Sequence, residues 1–343
     1  MIIEGRAIGA EHPPYVIAEV SNNHLADLDR ACRLIEAAAK TGADAVKIQT
    51  YDADSLTIDS DRPEFLIQTP PWKGLNYYQL YKKIALPVEA TAKLFKVARD
   101  NGITIFSSPF DERAVAVLEE QDCPAYKIAS FEICDDPLLR AVAATGKPVF
   151  VSTGVANVVD IEETLRVLRT GGAPEVALFH CVSEYPARMA DMNLRALDRL
   201  SQFGCVVGLS DHSLGSQATQ LAIARGAVVI EKHFTLQRSD GGPDALFSLE
   251  PEEFGGLVKA AREAWEALGS ASILTSDKRP GAGHARSLFV VKPIAAGEVF
   301  GESHVRAIRP GLGLPPRALS RVLGRRAKRD LARGEPLQWK DVE

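Results

Sequence analysis

The sequence predicts a closed barrel of eight parallel strands alternating with helices, followed by a small β-rich domain. Three observations predict it. A short apolar run ending in polar residues, then a helix-like stretch, recurs eight times. The eight units fill roughly 220 residues, near the ~250 of a typical β/α barrel. No G-x-G-x-x-G turn follows the first run, which disfavours the alternative, an open doubly wound sheet. Strict alternation of strand and helix implies a parallel sheet covered on both faces.

The apolar runs, in order, are Val16–Glu19, Ala45–Thr50, Ile103–Ser108, Ala125–Ser130, Val149–Thr153, Val176–His180, Val206–Ser210 and Val228–His233. Period and length predict helices at Leu28–Lys40, Pro87–Asp100, Glu112–Gln121, Pro137–Thr145, Asp160–Arg169, Leu194–Phe203, Gln217–Arg225 and Pro251–Leu268. Glycines at 42, 102, 146 and 226 stand where helices stop. Two stretches break the rhythm. Tyr51–Leu86 is too long for a plain connection and carries Phe65, Trp72, Tyr77, Tyr78 and Tyr81. It reads as an ordered excursion beside the mouth of the barrel or as surface decoration. Ile273–His284 has the composition of a linker. The expected organisation is a barrel over residues 1–272, a linker over 273–286 and a small domain over 287–343. That domain is short enough that it is expected to bury little core alone and to lean on another surface.

Of 343 residues, 46% are hydrophobic and 25% charged, and the net charge is −5. No basic surface advertises nucleic acid or anionic lipid. No apolar stretch is long enough for a bilayer, and the N-terminus carries no signal-like segment. The five cysteines at 32, 123, 134, 181 and 205 are scattered and lack a C-x-x-C pair, which suits a reducing cytoplasm.

A parallel barrel gathers its strand ends at one rim, where the chemistry of such folds sits. His212 and His233 end the seventh and eighth runs and so emerge side by side. They read as a divalent-metal pair or as two unrelated strand-end histidines. Lys47 and Lys127 lie among Ser107, Ser108, Ser130, Ser152, Thr153 and Ser210. Point-charge donors among hydroxyls suit a phosphorylated, carboxylated anion; Schiff-base chemistry and snorkelling structural lysines are the alternatives. Glu19 and Glu132 are candidate general bases or anchors for substrate hydroxyls, or partners of Lys47 and Lys127. Asp211 is placed to orient His212, Glu231 and Lys232 share the rim, and His24 and His180 read as structural.

The motifs Ala18-Glu19-x-x-x-Asn-His24, Val46-Lys-x-Gln-Thr50, Ser108-Pro-Phe110, Pro124-Ala-Tyr-Lys-Ile-Ala-Ser130-Phe-Glu132, Ser152-Thr-Gly154, Gly208-Leu-Ser-Asp-His212 and Glu231-Lys-His-Phe234 resemble the sialic acid synthase family. They keep the family's order over nearly the whole chain. Arg309-Pro-Gly-x-Gly313 resembles the family's antifreeze-like (SAF) domain, and Arg238–Glu250 is similar to the pseudaminic acid synthase branch. The resemblance implies that phosphoenolpyruvate condenses with an open-chain amino-sugar aldehyde and water to give a nine-carbon keto acid and phosphate. It implies a divalent metal, manganese with magnesium or cobalt as alternatives, on His212 and His233. It implies Lys47, Ser108, Lys127, Ser130, Ser152, Ser183 and Ser210 around phosphoenolpyruvate, and Glu19 and Glu132 at the aldehyde. Tyr185 and Asp244 would contact the sugar. In the domain-swapped dimer that the resemblance implies, Arg309 would reach the neighbouring copy's sugar. Two positions depart from the family pattern: Ser183 stands where sialic synthases carry Asn, and Glu184 is unusual for either branch. A neuraminate or legionaminate synthase, a Schiff-base aldolase using Lys127 or Lys47, and a non-catalytic sugar-binding or assembly protein are the competing expectations.

Overall fold

The computed structural model describes residues 1–68, 72–270 and 281–343. It divides into two compact units, Met1–Gly269 and Ser270–Glu343. In the first, eight parallel strands close into a barrel: β1 (Tyr15–Glu19), β2 (Ala45–Thr50), β3 (Thr104–Pro109), β4 (Tyr126–Ile128), β5 (Val149–Ser152), β6 (Val176–Cys181), β7 (Val206–Asp211) and β8 (Val229–His233). Each pairs with its successor, and β8 pairs back onto β1, with His233 opposite Glu19. The outer helices are α1 (Leu28–Lys40), α2 (Thr91–Asp100), α3 (Glu112–Glu119), α4 (Asp136–Ala144), α5 (Val158–Gly171), α6 (Ala196–Leu200), α7 (Gln217–Ala224) and α8 (Pro251–Leu268).

Local chemistry sets where these helices start. Asp27, Asp111, Asp135 and Asn157 each accept hydrogen bonds from the first-turn amides of α1, α3, α4 and α5. Such a cap contributes about 1 kcal/mol. The strand ends differ from the sequence expectation by a residue or two. The helix expected from Leu194 shortens to α6 plus a single turn at Ser201–Phe203, because Asn193 and Gly204 take positive φ at either end. A two-stranded hairpin, Ile2–Ile3 with Arg6–Ala7, precedes the barrel and was not expected.

The barrel interior is floored by Phe106, Phe150 and Phe179, whose ring centres lie 5.2 and 5.5 Å apart in succession. Gly208 makes room for them: a Cβ there would fall 2.7 Å from the Phe179 ring and 2.6 Å from the Val229 carbonyl oxygen. The strand ends above this floor are therefore left to polar side chains. The excursion after β2 is ordered over its described residues, with helical turns at Ala53–Leu56, Pro63–Phe65 and Tyr77–Ile84.

In the second unit, β9 (Ser287–Val290) pairs antiparallel with β10 (Val305–Ile308). Twelve buried side chains form a core of its own, including Leu288, Phe300, Val305, Leu331 and Leu337. The expectation that this segment buries little core alone is thus corrected. Turns and bridges, more than long strands, gather its apolar residues. Gly311 and Gly313 in the Arg309 motif permit close backbone approach, since a Cβ would fall 2.7 Å from the Ala282 carbonyl and 2.3 Å from that of Leu288. Residues 271–280, most of the expected linker, lie outside the described residues.

Candidate active site

A cavity of about 270 Å³ opens at the carboxyl ends of the strands. Glu19, Lys47, Lys127, Ser130, Glu132, Ser152, Tyr185, Ser210, His212, His233 and Asp244 all line it. Ser108 and Ser183 do not. Ser108 is buried behind Lys47, whose ammonium donates to its hydroxyl at 3.3 Å. Ser183 lies beside Cys181, 3.8 Å away. Arg309 is exposed on the second unit.

The alternation of strand side chains explains which residues meet. Along β7 and β8, Ser210, Glu231 and the two histidines turn inward, while Asp211 and Lys232 turn outward. Glu231 is the hub of the inner set. Lys127 donates to both its oxygens at 3.1 and 3.0 Å, Ser210 donates at 3.0 Å and Lys47 stands 3.8 Å away. Burial would raise its pKa, but Lys127 and Lys47 outweigh burial and keep it ionised. Lys47 also lies 2.7 Å from Oε2 of Glu19, a charge contact without hydrogen-bond alignment. Burial raises the Glu19 pKa, with Lys47 opposing. Burial would lower Lys47, but Glu19 and Glu231 outweigh it and hold the ammonium. In Lys127 burial wins and the pKa falls. Gln49 donates to the other Glu19 oxygen at 3.0 Å. Lys127 thus pairs with Glu231 and not with Glu132, whose Oε2 is buried without a partner. Burial pushes the Glu132 carboxyl up to about 7.

Hydroxyls converge nearby. The Gly154 amide donates to the Ser130 hydroxyl at 3.2 Å. A Cβ at Gly154 would fall 2.4 Å from the Ser183 oxygen and 2.8 Å from that of Ser130. Glycine is required so that this hydroxyl cradle can form.

The two histidine rings lie 5.3 Å apart between centres. His212 Nδ1 is 2.9 Å from the Val182 carbonyl oxygen. A carbonyl only accepts, so that nitrogen carries a proton and Nε2 faces the other way. Asp211 does not orient His212, contrary to expectation. It accepts from Ser213 at 2.7 Å and Thr219 at 3.1 Å, and pairs with Lys232 at 3.1 Å on the outer face. His233 Nδ1 is buried without a partner, and burial, then His212 and the lysines, hold that ring neutral. Burial would lower His212 too, but Cys181 and the Val182 carbonyl outweigh it and raise its pKa. Two adjacent imidazoles, one with an orphaned nitrogen, fit a divalent ion. No group of three His, Cys, Asp or Glu side chains suited to a metal occurs among the described residues. His24 and His180 are structural: His24 Nδ1 accepts from the Ala26 amide, and His180 meets the Met192 carbonyl at 2.6 Å.

Asp244 reaches the cavity on the 238–250 loop. Arg30 of α1 pairs with Asp240 at 2.7 Å, and Arg238 pairs with Glu253. Gly242 sits at φ +113° where a Cβ would meet Leu25 at 2.8 Å. The Asn22 amide donates to Asp244 at 3.3 Å. Glu231, given no role by the sequence reading, was detectable as the residue two before His233 on the same face. Tyr51, Leu56 and Tyr81 also line the cavity, which places the Tyr51–Leu86 excursion beside the mouth, as one of its two readings expected. Phe110 of the Ser108-Pro-Phe110 motif joins them, and nothing in the sequence marks any of the four individually as a site residue.

A family model for the NeuB family matches residues 34–272, and one for the SAF domain matches residues 285–343. The chain belongs to the NeuB family. It is 40% identical to the pseudaminic acid synthase of Campylobacter jejuni over 331 residues, covering 96% of each protein. It is likewise 40% identical to that of Helicobacter pylori, over 96% of this chain and 98% of the other. The solved N-acetylneuraminic acid synthetase of Leptospira borgpetersenii superposes with a TM-score of 0.73 at 32% identity, covering 81% of this chain and 92% of that one. This NeuB-family chain therefore has both of the family's modules in the order expected from its motifs.

Proposed function

We propose that the chain catalyses the pseudaminic acid synthase reaction: phosphoenolpyruvate, a 2,4-diacetamido-2,4,6-trideoxy altrose and water give a nine-carbon α-keto acid and phosphate. The observation that carries this is one cavity with a lysine and hydroxyl floor and a histidine pair at its side. The full-length similarity to two pseudaminic acid synthases selects the branch. Lys47, Lys127, Ser130, Ser152 and Ser210 bind phosphoenolpyruvate, with Ser108 and Ser183 supporting them from behind. Bringing a trianion to lysines already paired with Glu19 and Glu231 means that the substrate displaces those pairings. His212 and His233 hold a divalent metal, manganese foremost. When bound, it supplies Lewis acidity toward the aldehyde oxygen. His212 offers Nε2 only when that nitrogen is unprotonated, Nδ1 keeping its proton toward the Val182 carbonyl, which makes metal binding pH-dependent.

The methylene carbon of phosphoenolpyruvate bonds to the aldehyde carbon, whose oxygen takes a proton. Glu132, held near neutrality, is suited to deliver it. Water adds to the cationic carbon and loses a proton to Glu19. The adduct then expels phosphate by breaking its carbon–oxygen bond, while the new hydroxyl gives its proton to the departing phosphate and becomes the keto oxygen. Tyr185 and Asp244 position the sugar. A Schiff-base reading of Lys47 is disfavoured because its carboxylate neighbours keep it protonated.

Arg309 reaches the sugar of a second copy in a domain-swapped dimer. The charge distribution supports this: residues 270–343 hold 14 Lys and Arg against 7 Asp and Glu, and the remainder holds 26 against 38. Opposite net charges favour association of one copy's terminal unit with another's barrel. No helix among the described residues is long and apolar enough to cross a membrane, and we place the enzyme in the cytoplasm.

The test is phosphate release from phosphoenolpyruvate with manganese, with and without chelator, offering the trideoxy altrose and N-acetylmannosamine in parallel. Chelator-sensitive release with the altrose alone is expected. Release with N-acetylmannosamine alone would keep the family and reject the branch, moving the assignment to neuraminate synthase. Arg309→Ala in the same assay is expected to lose activity with an unchanged melting profile; full activity would reject the swapped dimer's role.

A further inference from the structure

The excursion after β2 lines the active cavity, and its chemistry differs from the rest of the lining. Tyr51 and Leu56, then Tyr81, come from that excursion, and Phe110 follows β3. Tyr51 stands edge-on to Phe110 and to Tyr81, with centres 5.5 and 6.1 Å away. The Tyr51 hydroxyl is already committed to Asn22 at 2.7 Å. Leu56 and Phe110 offer no hydrogen-bonding side chain. One sector of the cavity is therefore a mainly apolar wall, with the Tyr81 hydroxyl as its remaining polar group.

Its position follows from the strand order. In a closed ring of eight strands, β3, which leads to Phe110, lies diametrically across from β7, which leads to His212. His233 ends β8, the neighbour of β7. A sugar chain held at its reacting carbon beside the histidines directs its far end toward the wall.

We infer that Leu56, Tyr81 and Phe110 form the pocket for the terminal carbon of the acceptor sugar, and that this pocket selects a deoxygenated end, a methyl, over a hydroxymethyl. The inference rests on the proposed reaction and adds what recognises the sugar's sixth carbon. A methyl buries apolar surface there without cost. A hydroxyl would lose water and find no side-chain partner on Leu56 or Phe110. Even a purely apolar pocket rejects an added hydroxyl only moderately, about 10²-fold, and the Tyr81 hydroxyl makes this wall less than purely apolar. That sets the expected size of the effect.

The experiment compares kcat/KM for two acceptors that differ only at the sixth carbon: the 2,4-diacetamido-2,4,6-trideoxy altrose and its 6-hydroxy counterpart. The wild type is expected to prefer the deoxy sugar about 10- to 100-fold. Leu56→Asn places an amide on the wall and is expected to cut that preference about tenfold, mainly through KM for the hydroxy sugar. Leu56→Thr serves the same purpose if the asparagine variant is unstable, and Leu56→Val, which adds no polar group, is expected to keep the preference. Equal use of both sugars by the wild type would overturn the pocket and leave the proposed reaction standing. So would a preference that neither polar variant changes. If the wild type releases phosphate with neither altrose, the reaction and the pocket fall together.

Discussion

Strand β8 carries two lysine–carboxylate pairs through adjacent residues, and they face opposite ways. Glu231 points inward to Lys127, and Lys232 points outward to Asp211. All four side chains are essentially buried. The outer pair is closed off: Asp211 also takes the Ser213 amide and hydroxyl and the Thr219 hydroxyl, and Lys232 donates to the Ser213 carbonyl. The inner pair lines a cavity where an anion can take the carboxylate's place. The same interaction therefore does different work according to what can reach it. Outside, it ties β7 to β8 directly behind the histidines; inside, it holds a charge in readiness for exchange.

The largest expected effect is on the outer pair. Lys232→Met leaves Asp211 buried and unpaired, which costs about 3–5 kcal/mol. Adding Asp211→Leu removes the stranded charge and is expected to recover much of that loss. Urea unfolding of both variants checks it. If the single variant unfolds at the wild-type midpoint, the outer pair is not the clamp described.

Breaking the inner pair should read out as function. Lys127→Met leaves Glu231 with Lys47 at 3.8 Å and the Ser210 hydroxyl, so the fold is expected to tolerate it better. Turnover is expected to fall about 10²- to 10³-fold, the usual loss on removing one donor aimed at developing charge. Near-normal turnover with lost stability would invert the comparison.

The asymmetry between the two faces also explains what the sequence could tell. Eight apolar runs and their helices were legible because each has a period and a stop signal. The inward histidines, lysines and serines were legible because polar residues at strand ends stand out. Asp211 and Lys232 misled because they stand out equally, and only the strict alternation beside His212 and His233 separates the faces. The Leu56–Phe110 wall was legible only coarsely, as an excursion near the mouth and a Ser108-Pro-Phe110 motif, because apolar residues that line a cavity have the same composition as those that fill a core. The terminal unit's own core was missed for another reason. Its buried residues are spaced by turns and not by any regular period.

Glu132 gives the smallest expected effect and completes the comparison, because it is a largely buried carboxylate with no cation beside it. Glu231, held ionised by two lysines, contributes stability that is present above the ordinary carboxylate pKa and lost in acid. Glu132 behaves in the opposite sense. Its pKa rises from 4.5 to about 7, so between those values the folded chain keeps a proton that the unfolded chain releases. Its contribution is complete below 4.5 and is lost as pH rises through 7. The slope can reach at most about 1.4 kcal/mol per pH unit. Glu132→Gln, which stays neutral throughout, is expected to flatten stability against pH in that window and to remove a limb near pH 7 from kcat/KM. A wild-type stability curve that already climbs from pH 5 to 7, with no change in the glutamine variant, would mean that Glu132 is ionised in the folded chain and cannot deliver a proton to the aldehyde oxygen.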